Sequence, residues 1–370
     1  MELDLSSFLV VGLVAAAVTA LTVPIFRSVA LARGVEVLPN ERAVHARPTP
    51  TLGGGAMFLG FIAAMSVAAF SGWFPEAFSG TSDALGVLGC AVIAYTVGLV
   101  DDLREISAPA KTAGIVLAGS MLYLFGVSII YFRIPFVDPI IVDPGLSYLL
   151  TVLWVMGMAN AVNFIDGLDG LAAGIVGIGA LAFFFYALRL FEVGFLISTL
   201  GPLLLVIVFG VCVGFLPYNV HPAQIFMGDG GAILLGSLMA ASTMAVGGRT
   251  ADPFSGQTFF FYAPLVIPLV ILGVPILDTL FAIVRRATRR QGLATADKDH
   301  MHHRLMRLGH GHARSVFILW AWTALLSGFV LWPVYNDGSG DAIVPVGVAA
   351  LGLVLFTLFA PGFRRQRGSA

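Results

Sequence analysis

The chain has 370 residues, of which 58% are hydrophobic and 11% charged, with a mean hydropathy of +0.94 and a net charge of −1. A soluble domain carries roughly 25% charged residues, so this composition excludes a water-soluble globule and makes the bilayer the expected solvent. A charge near zero gives no electrostatic case for a nucleic-acid partner.

The N-terminal Met-Glu-Leu-Asp has no basic region and no cleavage motif follows, so it reads as the start of a retained first helix. A membrane-spanning helix needs about 20 mainly apolar residues. Eleven segments qualify, roughly 6–27, 52–71, 83–101, 112–132, 145–162, 171–189, 193–216, 231–247, 258–284, 315–332 and 342–361. The expected fold is therefore an all-α integral membrane protein, one polytopic domain over 1–370. The ninth segment contains Pro264, Pro268 and Pro275 and is expected to be tilted or broken. Cys90 and Cys212 sit inside apolar runs and read as buried small hydrophobes. With eleven spans, only Arg133, Arg189 and Arg249 fall on one side, and the other 17 of the 20 Lys and Arg fall on the opposite side. By the positive-inside rule the basic side is cytoplasmic, with the N-terminus outside and the C-terminus inside.

Five polar stretches interrupt the apolar chain, and this topology puts all five on the cytoplasmic side. The first, Asn40 to Gly54, carries Arg42 and Thr49 as candidate substrate contacts. The second is Asp101-Asp102 at the end of span three, followed by Lys111. Acids suit a helix C-terminus poorly, because the dipole there is negative, so the pair reads as metal ligand and proton acceptor. In the third, Asn160, Asn163, Asp166 and Asp169 recur every three residues. On a helix that spacing would set all four in one polar stripe; capping of a helix end is the plainer alternative. The fourth, Met227-Gly-Asp-Gly-Gly231, places Asp229 between glycines before span eight. The fifth, Asp297 to Arg304, contains His300, His302, His303 and Arg304. These histidines lack the i,i+4 spacing of a helical zinc motif, so phosphate binding and proton handling fit better. His310 and His312 have no motif around them and read as surface residues. Oxygen donors of this kind suit Mg²⁺, which keeps waters and substrate phosphates as partners. A diphosphate substrate and a lipid co-substrate follow. A secondary transporter is the reading from another class, but it would place charge near span midpoints.

The ordered motifs Asp101-Asp102, Asn163-x-x-Asp-Gly-Leu-Asp-Gly170, Phe226-Met-Gly-Asp229 and His300-x-His-His303 resemble the polyprenyl-phosphate N-acetylhexosamine-1-phosphate transferases, a group within glycosyltransferase family 4. The Pro48-Thr-Pro-Thr-Leu-Gly-Gly54 segment fits too, and coverage is nearly the whole chain. The histidine pattern is similar to the branch that uses UDP-GlcNAc rather than the muramoyl-pentapeptide branch. The resemblance implies transfer of GlcNAc-1-phosphate from UDP-GlcNAc to a polyprenyl phosphate, in a bacterial inner membrane, with Mg²⁺ (or Mn²⁺) as cofactor and a homodimer as the assembly. It implies Asn163 and Asp229 as metal residues, and Asp101, Asp102, His300, His302 and His303 as catalytic ones. It gives Lys111, Asn160, Asp166, Asp169, Arg304, Arg42 and Thr49 as substrate contacts, with Asp169 at the uracil. The family's usual Ser after Gly-Asp-x-Gly is Ala232 here, which receives no role.

Overall fold

A computed structural model describes residues 4–37, 48–132, 140–194, 196, 198–247, 273, 305, 308–336 and 343–359. Helix α1 (Leu5–Arg33) begins where the Asp4 side chain accepts the Ser6 N–H at 3.0 Å. That acceptor satisfies one of the donors left free at a helix start. It is followed by α2 (Gly53–Ser71), the short α3 (Pro75–Phe78), α4 (Asp83–Arg104), α5 (Ala108–Leu124), α6 (Pro144–Ile165), α7 (Leu171–Glu192), α8 (Leu200–Asn219) and α9 (Gly228–Gly247). Past the segment outside the described residues come α10 (His312–Tyr335) and α11 (Ile343–Phe359). Two small antiparallel ladders, Glu36–Val37 with Thr49–Pro50 and Tyr131–Phe132 with Ile140–Ile141, and a parallel bridge between Thr51 and Phe226 also lie among the described residues.

Eight of these helices are long and apolar enough to cross a membrane. The protein is a mostly helical, multi-pass membrane protein. Helices α5 and α11, at 17 residues each, stand at two more of the predicted spans. The ninth predicted span, 258–284, lies outside the described residues apart from residue 273.

Two predicted boundaries need correction. The fourth span was placed at 112–132, but α5 runs Ala108–Leu124. Gly126, at φ +98°, turns the chain out of the helix, and the β-branched and aromatic residues beyond it enter the second ladder. The seventh was placed at 193–216, but α7 continues to Glu192 and α8 starts only at Leu200. Hydropathy saw one apolar run across Gly194, whose φ of +79° breaks it.

Helix α9 forms the middle of the bundle and is buried from Gly230 to Val246. It packs on α4, α6, α8 and α2, while α1 closes on α2 and α8, and α10 on α7. Its start is wedged between two neighbours. A Cβ on Gly98 of α4 would lie 2.4 Å from the Asp229 carbonyl oxygen, and one on Gly54 of α2 would lie 2.2 Å from the Gly231 nitrogen. Bare Cα positions thus let three backbones meet where α9 begins. Cys90 and Cys212 are both free and buried, as expected.

Candidate active site

The end of α4, the first turn of α5, the end of α6 and the start of α9 converge at one end of the bundle. Asp102 lies near the C-terminus of α4, yet its carboxylate serves another helix. Oδ1 accepts the Asp229 N–H at 2.8 Å and Oδ2 the Gly230 N–H at 3.0 Å. An acid misplaced for its own helix dipole is well placed for the positive N-terminus of α9. That resolves the mismatch read from the sequence.

Asp101, one residue earlier, accepts the Ile106 N–H at 2.8 Å through Oδ1 and the Lys111 ammonium at 3.0 Å through Oδ2. Lys111 also donates to Asp229 Oδ2, so one ammonium joins the two carboxylates. Asn163 Nδ2 donates to Asp229 Oδ1 at 2.7 Å, which leaves the Asn163 amide oxygen available. The Asp101, Lys111 and Asp229 side chains are 17%, 19% and 29% exposed, so the cluster is recessed but open to a ligand.

The loop into α9 is fastened to the start of α2. Phe226 N–H donates to Pro50 O at 2.9 Å, and Gly53 and Gly54 N–H donate to the carbonyls of Phe226 and Met227 at 2.9 and 2.8 Å. Thr49 is buried in the ladder behind this joint.

The four-residue polar stripe does not form. Helix α6 ends at Ile165, and Asp166 leaves helical geometry with ψ 50°. Asn160 donates back to the Met156 carbonyl at 2.7 Å, away from the cluster, and only Asn163 reaches Asp229 from this helix. The i,i+3 reading failed because the Asp-Gly-Leu-Asp-Gly sequence makes a turn, with Gly170 at φ +78°. Asp166, at that turn, is half-buried. Its enclosure raises its carboxyl to about pH 8, helped by the charges of Asp229, Asp102 and Asp169.

Asp169 sits past the turn with its side chain 6% exposed. Oδ2 accepts the Ala223 N–H at 3.1 Å and meets His221 Nδ1 at 2.7 Å, and its own N–H donates to His312 Nε2 at 2.9 Å. His312 is thus no surface residue, contrary to the sequence reading. His310 is also buried, with Nε2 at 2.7 Å from the Thr357 carbonyl of α11. No local motif announces either role, because the partners lie 143 and 47 positions away in the chain. His221 was missed for the same reason. Its one sequence signal is its place in the loop that leads to Asp229. Arg42, His300, His302, His303 and Arg304 lie outside the described residues.

Two carboxylates, Asp101 and Asp229, therefore share one ammonium, with the Asp102 carboxylate and the Asn163 amide beside them. Such a hard-oxygen, anion-rich set fits a magnesium-type cation.

A family model described as Glycosyl transferase family 4 matches residues 84–247, the stretch from α4 through α9 that holds this cluster. The decaprenyl-phosphate N-acetylglucosaminephosphotransferase of Mycolicibacterium smegmatis is 36% identical over 366 residues, covering 96% of this chain and 88% of that protein. A probable undecaprenyl-phosphate N-acetylglucosaminyl 1-phosphate transferase of Bacillus subtilis is 36% identical over 353 residues, with 95% and 88% covered. A phospho-N-acetylmuramoyl-pentapeptide-transferase of Desulforudis audaxviator is 32% identical over 301 residues, with 74% and 80% covered. Matched along nearly its whole length, and across every helix that supplies the cluster, this chain belongs to glycosyl transferase family 4.

Proposed function

We propose that the protein transfers GlcNAc-1-phosphate from UDP-GlcNAc to a polyprenyl phosphate, releasing UMP, at the cytoplasmic face of a bacterial inner membrane. The observation that carries this reading is the recessed Asp101–Lys111–Asp229–Asn163 cluster, met in a chain whose nearly full-length relatives are named for this transfer. The fuller coverage by these relatives than by the muramoyl-pentapeptide enzyme favours UDP-GlcNAc as donor.

Asn163 and Asp229 are the residues that would hold Mg²⁺, with the sugar-nucleotide diphosphate completing its shell. When bound, the cation offsets charge on the diphosphate and on the departing UMP. Lys111 neutralises Asp101 and Asp229 and supplies an ammonium at the same place. Asp102 acts as a positioning residue: both its oxygens hold the start of α9, and so Asp229, in place. Asp101 orients the lipid phosphate. That phosphate has a second pKa of about 6 and is largely ionised near neutral pH, so no strong base is needed. One of its oxygens bonds to the β-phosphorus as the bond from that phosphorus to the bridging oxygen breaks, and UMP leaves with the bridging oxygen. A phosphorylated enzyme trapped with UDP-GlcNAc alone, and lost in Asp101→Asn, would contradict this single displacement. The His300–Arg304 segment is assigned to phosphate contacts on the donor side.

Orientation follows from the 17 basic residues on the side that carries the cluster. The test of the donor is a panel of UDP-sugars with purified protein, polyprenyl phosphate and Mg²⁺. UMP release with UDP-GlcNAc supports the reading; release only with the muramoyl-pentapeptide nucleotide moves the chain to the sister branch.

A further inference from the structure

Asp169, His221 and His312 form a second polar cluster, with ligand atoms within 4.8 Å of one another. One carboxylate and two imidazoles make a donor set that zinc takes. The hydrogen bonds speak against a metal. His312 Nε2 accepts the Asp169 N–H at 2.9 Å, which uses its lone pair and puts the ring proton on Nδ1. Asp169 Oδ2 already accepts the Ala223 N–H at 3.1 Å. The imidazole nitrogen 2.7 Å from that oxygen, His221 Nδ1, is therefore a donor, and His221 Nε2 keeps its lone pair. The lone pairs left open are those of His221 Nε2 and Asp169 Oδ1, so the second imidazole of the set is closed to a metal.

His312 also lies flat against His221, with centroids 4.3 Å apart and planes 21° from parallel. The Asp169 and His312 side chains are 6% and 9% exposed, whereas His221 is 43% exposed. Two buried groups thus fix both the tilt and the tautomer of one exposed imidazole. Its Nε2 has no partner among the described residues. The loop that carries it is anchored: Asn219, itself 1% exposed, accepts the Gly170 N–H at 3.0 Å and donates to the Ile225 carbonyl at 3.0 Å. The same loop runs on to Asp229. Asn163, bonded to Asp229, and Asp169, bonded to His221, flank the one turn between α6 and α7, so the two clusters adjoin.

In its neutral form, with Nδ1 donating to Asp169, the imidazole presents Nε2 as an acceptor, which does not suit a phosphate oxygen, since that also accepts. It suits an N–H or O–H donor. We infer that His221 is a specificity residue for the sugar nucleotide, its Nε2 accepting a hydrogen bond from a neutral N–H or O–H group on an arm flanking the diphosphate, with Asp169 as its positioning residue. This rests on the reading that a UDP-sugar is the donor substrate. Three groups carry the required chemistry: the imide N–H of the base, the ribose 2′-hydroxyl and the acetamido N–H of the sugar.

The test uses the full-length protein in detergent with polyprenyl phosphate. His221→Ala raises KM for UDP-GlcNAc about tenfold, the size of one hydrogen bond at the upper end of the neutral range, with kcat little changed. His221→Gln, whose amide oxygen reaches the Nε2 position, recovers most of that loss. Asp169→Ala removes the oxygen to which Nδ1–H donates, frees the tautomer and produces the same rise in KM, and that rise does not add to the one in His221→Ala, a readout that a merely structural residue would not give. Donors with 3-methyluracil, 2′-deoxyribose or glucose in place of GlcNAc then locate the partner. One of them binds more weakly to the wild type and shows no further loss in His221→Ala. The inference is overturned if KM stays within about twofold in both His221→Ala and Asp169→Ala, or if every analogue keeps its full penalty in His221→Ala. The two variants reach the same lesion independently, so misfolding of one leaves the other as the test. Absence of wild-type turnover removes the functional reading and this inference together; wild-type turnover with an unmoved KM removes the inference alone.

Discussion

At the scale of single residues, the site is a balance of charge in a confined place. Lys111 is the cation shared by Asp101 and Asp229. Lys111→Met leaves those carboxylates facing each other, and charge-assisted hydrogen bonds of this kind contribute roughly 1.5–3 kcal/mol. A fall in kcat/KM of about 10- to 100-fold is expected, and turnover within threefold of wild type would remove Lys111 from the site. Asp166 carries a pH signature. Its folded pKa of about 8 stands above the value near 3.9 of a free carboxyl, so between those values the folded state holds a proton that the unfolded chain releases. Its contribution to stability is greatest at low pH and is lost as pH rises toward 8. Without divalent cations, Asp166→Asn should therefore gain in Tm over wild type progressively from pH 5 to pH 8, as read by thermal unfolding in detergent. A difference that does not grow with pH would show that Asp166 titrates normally.

The residue types at the site were legible before any coordinates, because acids and amides beside membrane spans are costly and stand out. Their partners were not. Nothing local in Asp102 says that it caps α9, 127 positions away, and nothing near His312 points to Asp169. Such pairings are made by tertiary packing, which a window along the chain does not sample.

At the scale of elements, the active-site geometry depends on how closely α9 approaches α4 and α2. A methyl group at Gly98 would press on the Asp229 carbonyl from 2.4 Å. Overpacking of this kind costs about 1–3 kcal/mol, and here the displaced element carries Asp229. Gly98→Ala should lower both Tm and activity. Gly157→Ala on α6, where a methyl group meets nothing within 4 Å, should leave activity unchanged. Equal effects of the two would argue that helix propensity rather than close approach governs Gly98. Helix existence was well forecast by apolar length, and boundaries less so. Both misplaced ends involve a glycine with positive φ inside an apolar run, Gly126 after α5 and Gly194 after α7. Hydropathy does not distinguish a glycine that ends a helix from one that lies within it.

At the scale of the whole molecule, the proposed cytoplasmic placement of the site rests on the distribution of Lys and Arg. Cys90 and Cys212 are buried, so single introduced cysteines report sidedness against a silent background. Ser79, between α2 and α4, is assigned to the external side, and Ser107, between α4 and α5, to the cytoplasmic side with Asp101. A membrane-impermeant maleimide added to intact spheroplasts should label Ser79→Cys and spare Ser107→Cys until the membrane is opened. The reverse pattern would invert the topology.

The most direct measurement is UMP release by the purified protein from UDP-GlcNAc, with polyprenyl phosphate and Mg²⁺ each supplied or withheld. The account predicts release only when lipid phosphate and cation are both present, and its loss in Asp229→Ala protein that remains folded. Release independent of the lipid, or undiminished in Asp229→Ala, would contradict it.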